Sequence, residues 1–251
     1  MSRVQSIERA FAVLAALTDG PIGVTEVAER VALPKSTAAR MLVSLAREGA
    51  VEQVPGETRY RLGPRLETLA TGMVATRNVV AIARPHLAEL AASIGETAGL
   101  SIPDGSTMHY VEQVDSDHPV SVRDWTGARI PMHAVSSGLA VLALWSRARI
   151  EAFLGDPLER FTDRTMTDPS ELRMRLQRIQ LEGNAWTNGE YAEGIASVAA
   201  AIADASGEVV AAVHVHGPSY RFPAAGRETA FGLQVTATAT RIARTLRQAP
   251  G

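Results

Sequence analysis

The 251-residue sequence has no cysteine, and aromatic residues make up only 5% of it. The first absence excludes disulfides, thiol catalysis and thiolate metal sites. No apolar run approaches the roughly 20 residues that a transmembrane helix needs, and the N-terminus lacks the apolar core of a signal peptide. These absences predict a cytoplasmic protein without a membrane partner. The length and the 46% hydrophobic content allow two domains with cores of their own.

Residues 24–62 have the pattern of a winged helix-turn-helix. A short helix is expected to start at Thr25, whose hydroxyl can cap the free N–H groups at a helix start. Leu33-Pro34 forms the turn, because proline suits the first position of a new helix but not a helix interior. A second helix is predicted from about Lys35 to Glu48, and Gly49 ends it.

A hairpin with Pro55-Gly56 at its tip follows and predicts a two-stranded wing. Helix-turn-helix proteins lay the second helix in the major groove, with base contacts near its N-terminus. Arg40 is long enough for a two-pronged bond to guanine. The alternative is a helical hairpin with a solvated basic face and no DNA role, but turn, basic face and wing together favour double-stranded DNA. The predicted DNA-binding residues are Thr25, Lys35, Ser36, Thr37, Arg40, Ser44, Arg47, Arg59 and Arg61.

The charge distribution agrees with a DNA-binding N-terminal part. Residues 1–77 contain ten basic and eight acidic side chains, a net charge of +2, whereas the remainder contains 15 and 19, a net charge of −4. Within residues 34–65 the count is six basic to three acidic. The basic excess is local, as expected for a chain that meets DNA with one domain.

Two further helices are predicted beside the helix-turn-helix. Ser6–Thr18 is amphipathic and is expected to complete a three-helix core through one apolar side, formed by Ile7, Phe11, Leu14 and Leu17. Residues 65–77 predict a helix whose apolar stripe either packs on its own domain or pairs two subunits. That stripe consists of Leu66, Leu69, Ala70 and Met73.

The sequence from Val79 onward predicts an α+β domain with one antiparallel sheet. Its first helix runs to about Ile94 and is expected to be kinked, or to start, near Pro85. The predicted strands are 98–102, 108–114, 120–125, 195–203 and 209–216. The predicted helices are 137–145, 149–154, 169–182 and 225–247.

Several stretches, in this order, resemble the IclR-type transcriptional regulators. They are SIERAFAVLAAL, LPKSTAARMLVSLAREGAVEQ with RYRLGPRL, ARPHLAELAASIGETAGLSI, IPMHAVSSGLAVLA and GIASVAAAIADASGEVVAAVHVHGP. The resemblance implies a winged helix-turn-helix domain over 1–63, a linker helix over 64–78 and a GAF-like effector-binding domain over 79–251. It also implies a homodimer or a dimer of dimers that regulates genes, more often as a repressor, in response to a small organic molecule.

The resemblance places an effector pocket on one face of the C-terminal sheet. The expected effector-binding residues are Trp125, Ser136, Ser137, Thr187, Ser197, His214 and His216. Ser136-Ser137-Gly138 precedes a predicted helix, whose free N–H groups suit a carboxylate. His214 and His216 are two apart on a strand and therefore share one face. Two imidazoles there predict a smaller, more basic or pH-sensitive pocket that mildly favours an anionic metabolite.

The same residues can also have purely structural roles. Both histidines can be packing residues whose polar atoms are hydrogen-bonded within the protein, and Trp125 and Trp186 can be core aromatics or pocket walls. His133 with the two strand histidines could form a zinc site. No carboxylate has a clear spacing to complete that site, so neither a metal nor another cofactor is expected.

Two other functional classes fit the sequence less well. An enzyme is not expected, because the VSSG segment around Ser136 lacks the strand–G-x-S-x-G–helix context of a nucleophile elbow. No general base is evident beside the loop aspartates. A regulator-like protein that acts mainly through protein interaction is opposed by the intact basic face over 35–47.

Overall fold

The computed structural model describes residues 5–118 and 122–248, and within them the side chains of all but 70–77. The chain divides into two compact units, one up to Ala75 and one from Thr76. Within the described ranges, no helix combines the length and apolar character needed to cross a membrane.

The first unit is a winged helix-turn-helix. Its helices are α1 (Gln5–Ala16), α2 (Val24–Arg30) and α3 (Lys35–Arg47), and its strands are β1 (Ile22–Gly23), β2 (Val51–Gln53) and β3 (Arg59–Leu62). The predicted wing is confirmed, and it gains a third strand because β1 pairs with β3 on the side opposite β2. The three helices and the sheet share one core, formed by Val13, Leu17, Ile22, Val27, Ala28, Ala38, Leu42 and Val51.

The predicted cap of the first helix of the motif is wrong by two residues. Gly23 caps α2 without a side-chain hydrogen bond, and Thr25 lies inside the first turn with an exposed side chain. Pro34 likewise caps α3 rather than occupying its first position, and its carbonyl accepts hydrogen bonds from the N–H groups of Thr37 and Ala38. Between the helices, Ala32 turns the chain through the left-handed region at φ 50°.

The predicted apolar side of α1 is also wrong in part. Val13 and Leu17 are buried in the core, and Leu14 packs partly against it. Ile7 and Phe11, by contrast, are 55% and 69% exposed. The helical spacing was correct, but the core meets a side rotated away from the one that the two largest residues suggested.

A single helix, α4 (Pro64–Ile94), replaces the two helices predicted over 65–77 and 79–94. Pro85 lies inside it rather than at its start. Two residues of the predicted apolar stripe, at 70 and 73, fall within 70–77, outside the described side chains; Leu69 is 59% exposed.

The second unit is built on a six-stranded antiparallel sheet. Its strands are β4 (Thr97–Asp104), β5 (Thr107–Val114), β6 (Arg129–Pro131), β7 (Ala185–Asn188), β8 (Ile195–Ala203) and β9 (Val209–Pro218), in the order β6-β5-β4-β9-β8-β7. The helices α5 (Ser136–Leu142), α6 (Arg147–Phe153), α7 (Pro169–Glu182) and α8 (Glu228–Gln248) complete the unit. The α+β fold class with one antiparallel sheet is thereby confirmed.

The central strands are buried on both faces, and the two faces differ in side-chain size. One face presents Val198, Val213 and Val215 to a core shared with α4 and α8. The other face presents alanines of β8 and β9, such as Ala199 and Ala212, to a core shared with α5 and α7. Small residues on this second face leave room between the sheet and the segments that cover it.

The predicted strand over 120–125 is wrong where it can be compared. Its first two residues fall among residues 119–121, outside the described ranges, and 122–125 form no strand. Its place beside β5 is taken by β6, a three-residue strand centred on Ile130. The strand β7 was not predicted, because four residues between a helix and a turn give too short a pattern to recognise.

Candidate functional site

A small cavity of about 40 Å³ opens on the second face of the six-stranded sheet. Strands β5, β7, β8 and β9 supply its floor, and the segments that follow β5 and β7 supply its walls. The lining residues are Tyr110, Trp125, Ile130, Ala134, Val135, Thr187, Glu190, Tyr191, Ala192, Ile195, Ser197, His214 and His216.

Strand register brings three of the predicted effector residues into one row. Thr187 on β7 is opposite Ser197 on β8, and Ser197 is opposite His216 on β9. Directly opposite residues of antiparallel strands point to the same face at about 5 Å spacing. The floor of the cavity therefore carries two hydroxyls and an imidazole side by side.

Ser136 and Ser137 are not among the lining residues, although their hydroxyls contact two of them on the same face of the sheet. The helix predicted over 137–145 starts one residue earlier, at Ser136 with Val135 as its cap, so the three residues expected to precede it form its first turn. Both serines are buried in the first turn. The Ser136 hydroxyl is 2.6 Å from the Ser197 hydroxyl, and the Ser137 hydroxyl is 3.4 Å from that of Tyr110. These serines position lining residues.

His214 and His216 form a stacked pair on β9, with ring centroids 5.6 Å apart. The edge of the Tyr110 ring packs against His214 at 4.9 Å between centroids. Gly99, opposite His214 on β4, has no side chain to compete for this space. Both imidazoles are buried, yet Nδ1 of His214 and Nε2 of His216 have no hydrogen-bond partner among the described residues.

Burial governs the protonation of the pair. It lowers the pKa of His214 well below its usual value, and the neighbouring His216 lowers it further. Burial also lowers the pKa of His216 to about 4, although Asp115 and Asp124 oppose the shift. Both rings are consequently neutral at neutral pH. The expectation of a more basic pocket is wrong for this arrangement.

Glu190 is the one carboxylate on the cavity wall among the described residues. Its two oxygens accept hydrogen bonds from Arg175 of α7 at 2.6 and 2.8 Å, and both side chains are about 10% exposed or less. The Glu190 carbonyl accepts a hydrogen bond from the buried Thr165 hydroxyl at 2.6 Å. This ion pair anchors the wall to α7.

Trp125 and Tyr191 cover the cavity from two different segments. Their rings meet edge to face at 5.8 Å, and the Arg123 guanidinium lies 4.2 Å from the Trp125 ring. The sequence did not decide whether Trp125 and Trp186 are pocket walls or core residues, and Trp125 is a cavity wall. Trp186 points to the opposite face and stacks on Phe222 in the core with α4 and α8.

Eight lining residues were not predicted from the sequence, and three of these, Tyr110, Glu190 and Tyr191, carry polar groups. Tyr110 belongs to the site through strand pairing that places it beside His214, and a single strand pattern does not reveal such pairing. Glu190 and Tyr191 lie in the connection between β7 and β8, where no periodicity marks the inward side chains.

The alternative of a histidine metal site is not supported by the geometry. The Nε2 atom of His133 is 2.8 Å from the Glu159 carbonyl oxygen, and His133 lines a different cavity. Across residues 5–118 and 122–248, no three His, Asp or Glu side chains are grouped as metal ligands.

The predicted DNA-binding face is exposed on α3. Arg40 has helical spacing with Ser36, Ser44 and Arg47, and all four are exposed, as is Lys35; Thr37 is half-buried. Basic residues of this face form no ion pair within the described part of the chain. The same face includes Val43, which is 46% exposed and was not predicted. Whether these side chains contact DNA stays a prediction.

The wing arginines differ from those of α3 because each has a carboxylate partner. Arg61 is paired with Glu52 across the β2–β3 ladder at 2.6 Å, and Arg59 is paired with Glu57 at the tip of the hairpin. All four side chains remain 37–52% exposed. The guanidinium groups are thus held at the edge of the wing by partners that phosphates would have to compete with.

Two family models together match nearly the whole chain. The model described as "Bacterial transcriptional regulator IclR C-terminal" matches residues 71–244, and the "IclR helix-turn-helix domain" matches residues 6–55. The proteins that carry these domains are transcriptional regulators and not enzymes.

Individual relatives agree with the family models. The HTH-type transcriptional regulator Rv1719 of Mycobacterium tuberculosis is 35% identical over 87% of this chain and 84% of its own length. The transcriptional repressor IclR of Escherichia coli is 30% identical over 96% of this chain and 89% of its own. The crystal structure of an IclR homolog complexed with 4-hydroxybenzoate, from Microbacterium hydrocarbonoxydans, superposes with a TM-score of 0.64 at 27% identity, covering 97% of this chain and 100% of the other.

Proposed function

Because the chain belongs to the IclR family of transcriptional regulators, we propose that it is a repressor controlled by a small organic acid bound in the sheet cavity. It acts in the cytoplasm on a palindromic operator, as a homodimer or a dimer of dimers. Symmetric subunits match symmetric half-sites about one DNA turn apart, or multiples of it. The similarity to the Escherichia coli repressor supports the direction of regulation.

The effector part of the proposal depends on one observation. Two imidazole nitrogens, on His214 and His216, are buried at the cavity without a hydrogen-bond partner. A buried polar atom left unpaired costs free energy, about 1–3 kcal/mol, which a ligand can recover. A molecule with an acidic group directed at these nitrogens would satisfy both.

The remaining cavity wall favours a flat, compact molecule. Tyr110, Trp125 and Tyr191 provide aromatic surfaces, and the hydroxyls of Thr187 and Ser197 provide further polar contacts. Aromatic walls with a few placed polar groups are typical of sites for small organic ligands. The 4-hydroxybenzoate complex of the Microbacterium homologue supports an aromatic carboxylic acid as the first candidate.

The DNA part of the proposal assigns separate roles within one face of α3. Arg40 reads a base edge through a bidentate contact, and Val43 contacts a thymine methyl group, the apolar feature of the major groove. Arg47 and the wing arginines contact phosphates, which position the protein without reading sequence. Exposure of all these side chains supports the assignment.

The effector assignment is tested with the cavity variant Ser197→Leu. Purified protein is screened by thermal shift against benzoate, 4-hydroxybenzoate, amino acids and lactones, and each hit is retested for its effect on binding to the protein's own upstream DNA. Leucine fills the cavity and removes the hydrogen bond to Ser136. Ser197→Leu should abolish the response and keep operator binding.

Ser197→Ala is the matched control, since it removes the hydroxyl without filling the space. It should retain a weakened response. A full response in Ser197→Leu would contradict the assignment of the cavity, and loss of folding in both variants would identify Ser197 as a core residue instead.

The DNA assignment is tested with Arg40→Ala, whose binding to operator and to operators changed at single base pairs is compared with wild type. The loss expected is roughly 1–3 kcal/mol, together with relaxed preference at one base pair. Unchanged affinity and unchanged preference would contradict the role of the α3 face.

A further inference from the structure

We propose that the effector's acid group binds to the His214–His216 pair together with one proton, so that a weak acid enters the cavity as a neutral unit. This inference rests on the proposed function, because it concerns the chemistry of the same cavity. It adds a property that a binding screen at one pH would not detect, namely that the affinity for the effector depends on pH.

The charges around the cavity require such a proton. Among the described lining residues there is no lysine or arginine, and the one carboxylate is Glu190. Arg175 is bound by both oxygens of that carboxylate on the far side of the wall. An unpaired anion transferred from water to a buried site is strongly disfavoured. A carboxylate therefore needs a positive charge that the lining side chains do not hold at neutral pH.

The histidine pair is built to accept one proton and not two. Each ring has a buried nitrogen without a partner, Nδ1 on His214 and Nε2 on His216, and the rings are stacked at 5.6 Å. One proton on one ring forms a charge-assisted hydrogen bond to a carboxylate. A second proton would place two cations in stacked contact, which like-charge repulsion opposes.

Arg123 lies over the Trp125 ring at 4.2 Å but does not itself line the cavity, and the other groups near the pair do not supply the missing charge. The Tyr110 ring edge faces His214, and burial raises the pKa of Tyr110 to about 12, so that its hydroxyl stays neutral. Asp115 accepts a hydrogen bond from Thr97, the residue opposite His216 on β4. Asp124 accepts one from the Thr126 N–H. Both carboxylates act on His216, yet burial still keeps its pKa at about 4.

Binding of an acid favours the protonated form of one imidazole. The ligand's carboxylate raises the pKa of the imidazole that it contacts, as any opposite charge does at close range. Above the pKa of the free acid the ligand arrives as an anion, and the solvent supplies the proton. The complex of anion and imidazolium carries no net charge, and its protons balance without another reactant.

The inference is tested by isothermal titration calorimetry of the full chain with benzoate, 4-hydroxybenzoate and acetate. Each acid is titrated between about pH 5.5 and 8 in two buffers of different ionisation enthalpy. Uptake of about one proton is expected, with a dissociation constant that rises up to about tenfold per pH unit while the complex stays protonated. Binding without proton uptake, or no binding by any of the three acids, would overturn the inference.

The variant His216→Gln and its matched control His109→Gln test whether His216 is needed for proton uptake. His109 is on β5 next to Tyr110 in sequence, and it does not line the cavity. His216→Gln should lose most of the proton uptake, whereas His109→Gln should retain it. Equal proton uptake in both variants would refute a role for His216.

A spectroscopic measurement on the wild-type chain covers the case in which His216→Gln does not fold. Side-chain carbon chemical shifts of labelled histidine are followed against pH with and without saturating benzoate. The benzoate should raise the pKa of one buried histidine, and an unchanged histidine titration would refute the inference. If instead the proposed function is wrong, the acid would still bind with proton uptake but would not change the affinity of the protein for DNA.

Discussion

Single residues on the sheet create the space for the histidine pair. Gly99 on β4 is opposite His214, and a Cβ atom built there would be 2.5 Å from Nε2 of the imidazole. On the other side of His214, β8 presents only Ala199. Two of the smallest residues therefore flank the imidazole on the neighbouring strands, which leaves room for its ring.

This arrangement predicts that Gly99→Ala destabilises the C-terminal unit. The new methyl group overlaps the His214 ring, and overpacking of a filled site costs about 1–3 kcal/mol. Urea denaturation of the variant, compared with wild type, measures the loss. Ligand binding should weaken as well, because the imidazole must move.

The double variant Gly99→Ala with His214→Ser isolates the cause. Serine clears the overlap, so Gly99→Ala should cost much less stability in the His214→Ser background than in the wild-type chain. An equal cost in both backgrounds would mean that the methyl group conflicts with the Glu112 carbonyl, the other near atom at 3.0 Å, and that the steric account of His214 is wrong.

The buried histidines also predict a dependence of stability on pH. The pKa of His216 is about 4 in the folded chain, below its usual value of 6.5. Between these values the unfolded chain binds more protons, so stability is present above about pH 6.5 and is lost as the pH falls. His216 alone should lower the free energy of unfolding by about 2 kcal/mol between pH 7 and pH 5.

Urea denaturation at a series of pH values checks this prediction. His216→Gln should flatten the profile by that amount, because glutamine does not titrate, whereas His109→Gln should leave the slope unchanged. A wild-type profile without loss below pH 6.5 would show that the imidazole is not held neutral.

At the scale of elements, strand pairing and the turn fix the positions of the charged side chains on the exposed wing. The β2–β3 register places Glu52 opposite Arg61, and the turn places Glu57 beside Arg59. Exposed pairs of this kind contribute little to stability. Their larger effect is on DNA, since a phosphate has to replace the carboxylate at each guanidinium.

The variant Glu57→Gln is therefore expected to bind DNA more tightly. The gain should be the same for operator and unrelated sequences, because phosphate contacts carry no sequence information. Freed from its partner, Arg59 adds up to about one further phosphate contact, which steepens the slope of log affinity against log salt by roughly 0.9. Fluorescence anisotropy over a salt series measures both quantities.

Glu29→Gln is the matched control, because it removes the same charge from the exposed surface of α2. It should change the affinity less than Glu57→Gln does. A loss of affinity in Glu57→Gln would mean that the carboxylate orients Arg59 for DNA rather than competing with it.

At the scale of the whole molecule, the DNA-binding and cavity-bearing units share one continuous helix. The 31-residue α4 begins at Pro64, just after the wing, and ends at Ile94, and two residues separate it from β4. Its C-terminal half is part of the core beneath the cavity sheet. If an effector binds in the cavity unit, it can change DNA binding only by the difference in its binding free energy between two states of the protein.

Coupling between the two units predicts reciprocity. If an acid weakens operator binding by a given factor, in the range of about 5–150-fold, the operator must weaken binding of that acid by the same factor. Calorimetric titration of the acid with and without saturating operator DNA measures the second factor. Unequal factors would show that the acid acts at more than one site or changes the oligomeric state.

Much of the molecule was predictable from local sequence patterns. The bounds of α7, β8 and α3 match the prediction to within a residue, because each has clear apolar spacing and explicit ends. The Asp168 carboxylate, for example, caps α7 by accepting hydrogen bonds from the Ser170 and Glu171 N–H groups, and Gly183 ends the helix at φ 75°. Patterns with less local definition, such as the buried side of α1 or the strand before Trp125, were predicted wrongly.

The sequence by itself determined the two-part organisation, the helix-turn-helix with its wing and the shared face of His214 and His216, since these depend on residue spacing along a helix or a strand. Only the tertiary structure decided that Glu190 and Tyr110 join the cavity and that His133 does not. It also decided that the imidazoles are neutral, because the burial that lowers their pKa values comes from strands and segments far apart in the chain. Spacing is a local property, whereas burial and proximity depend on which distant segments the fold brings together.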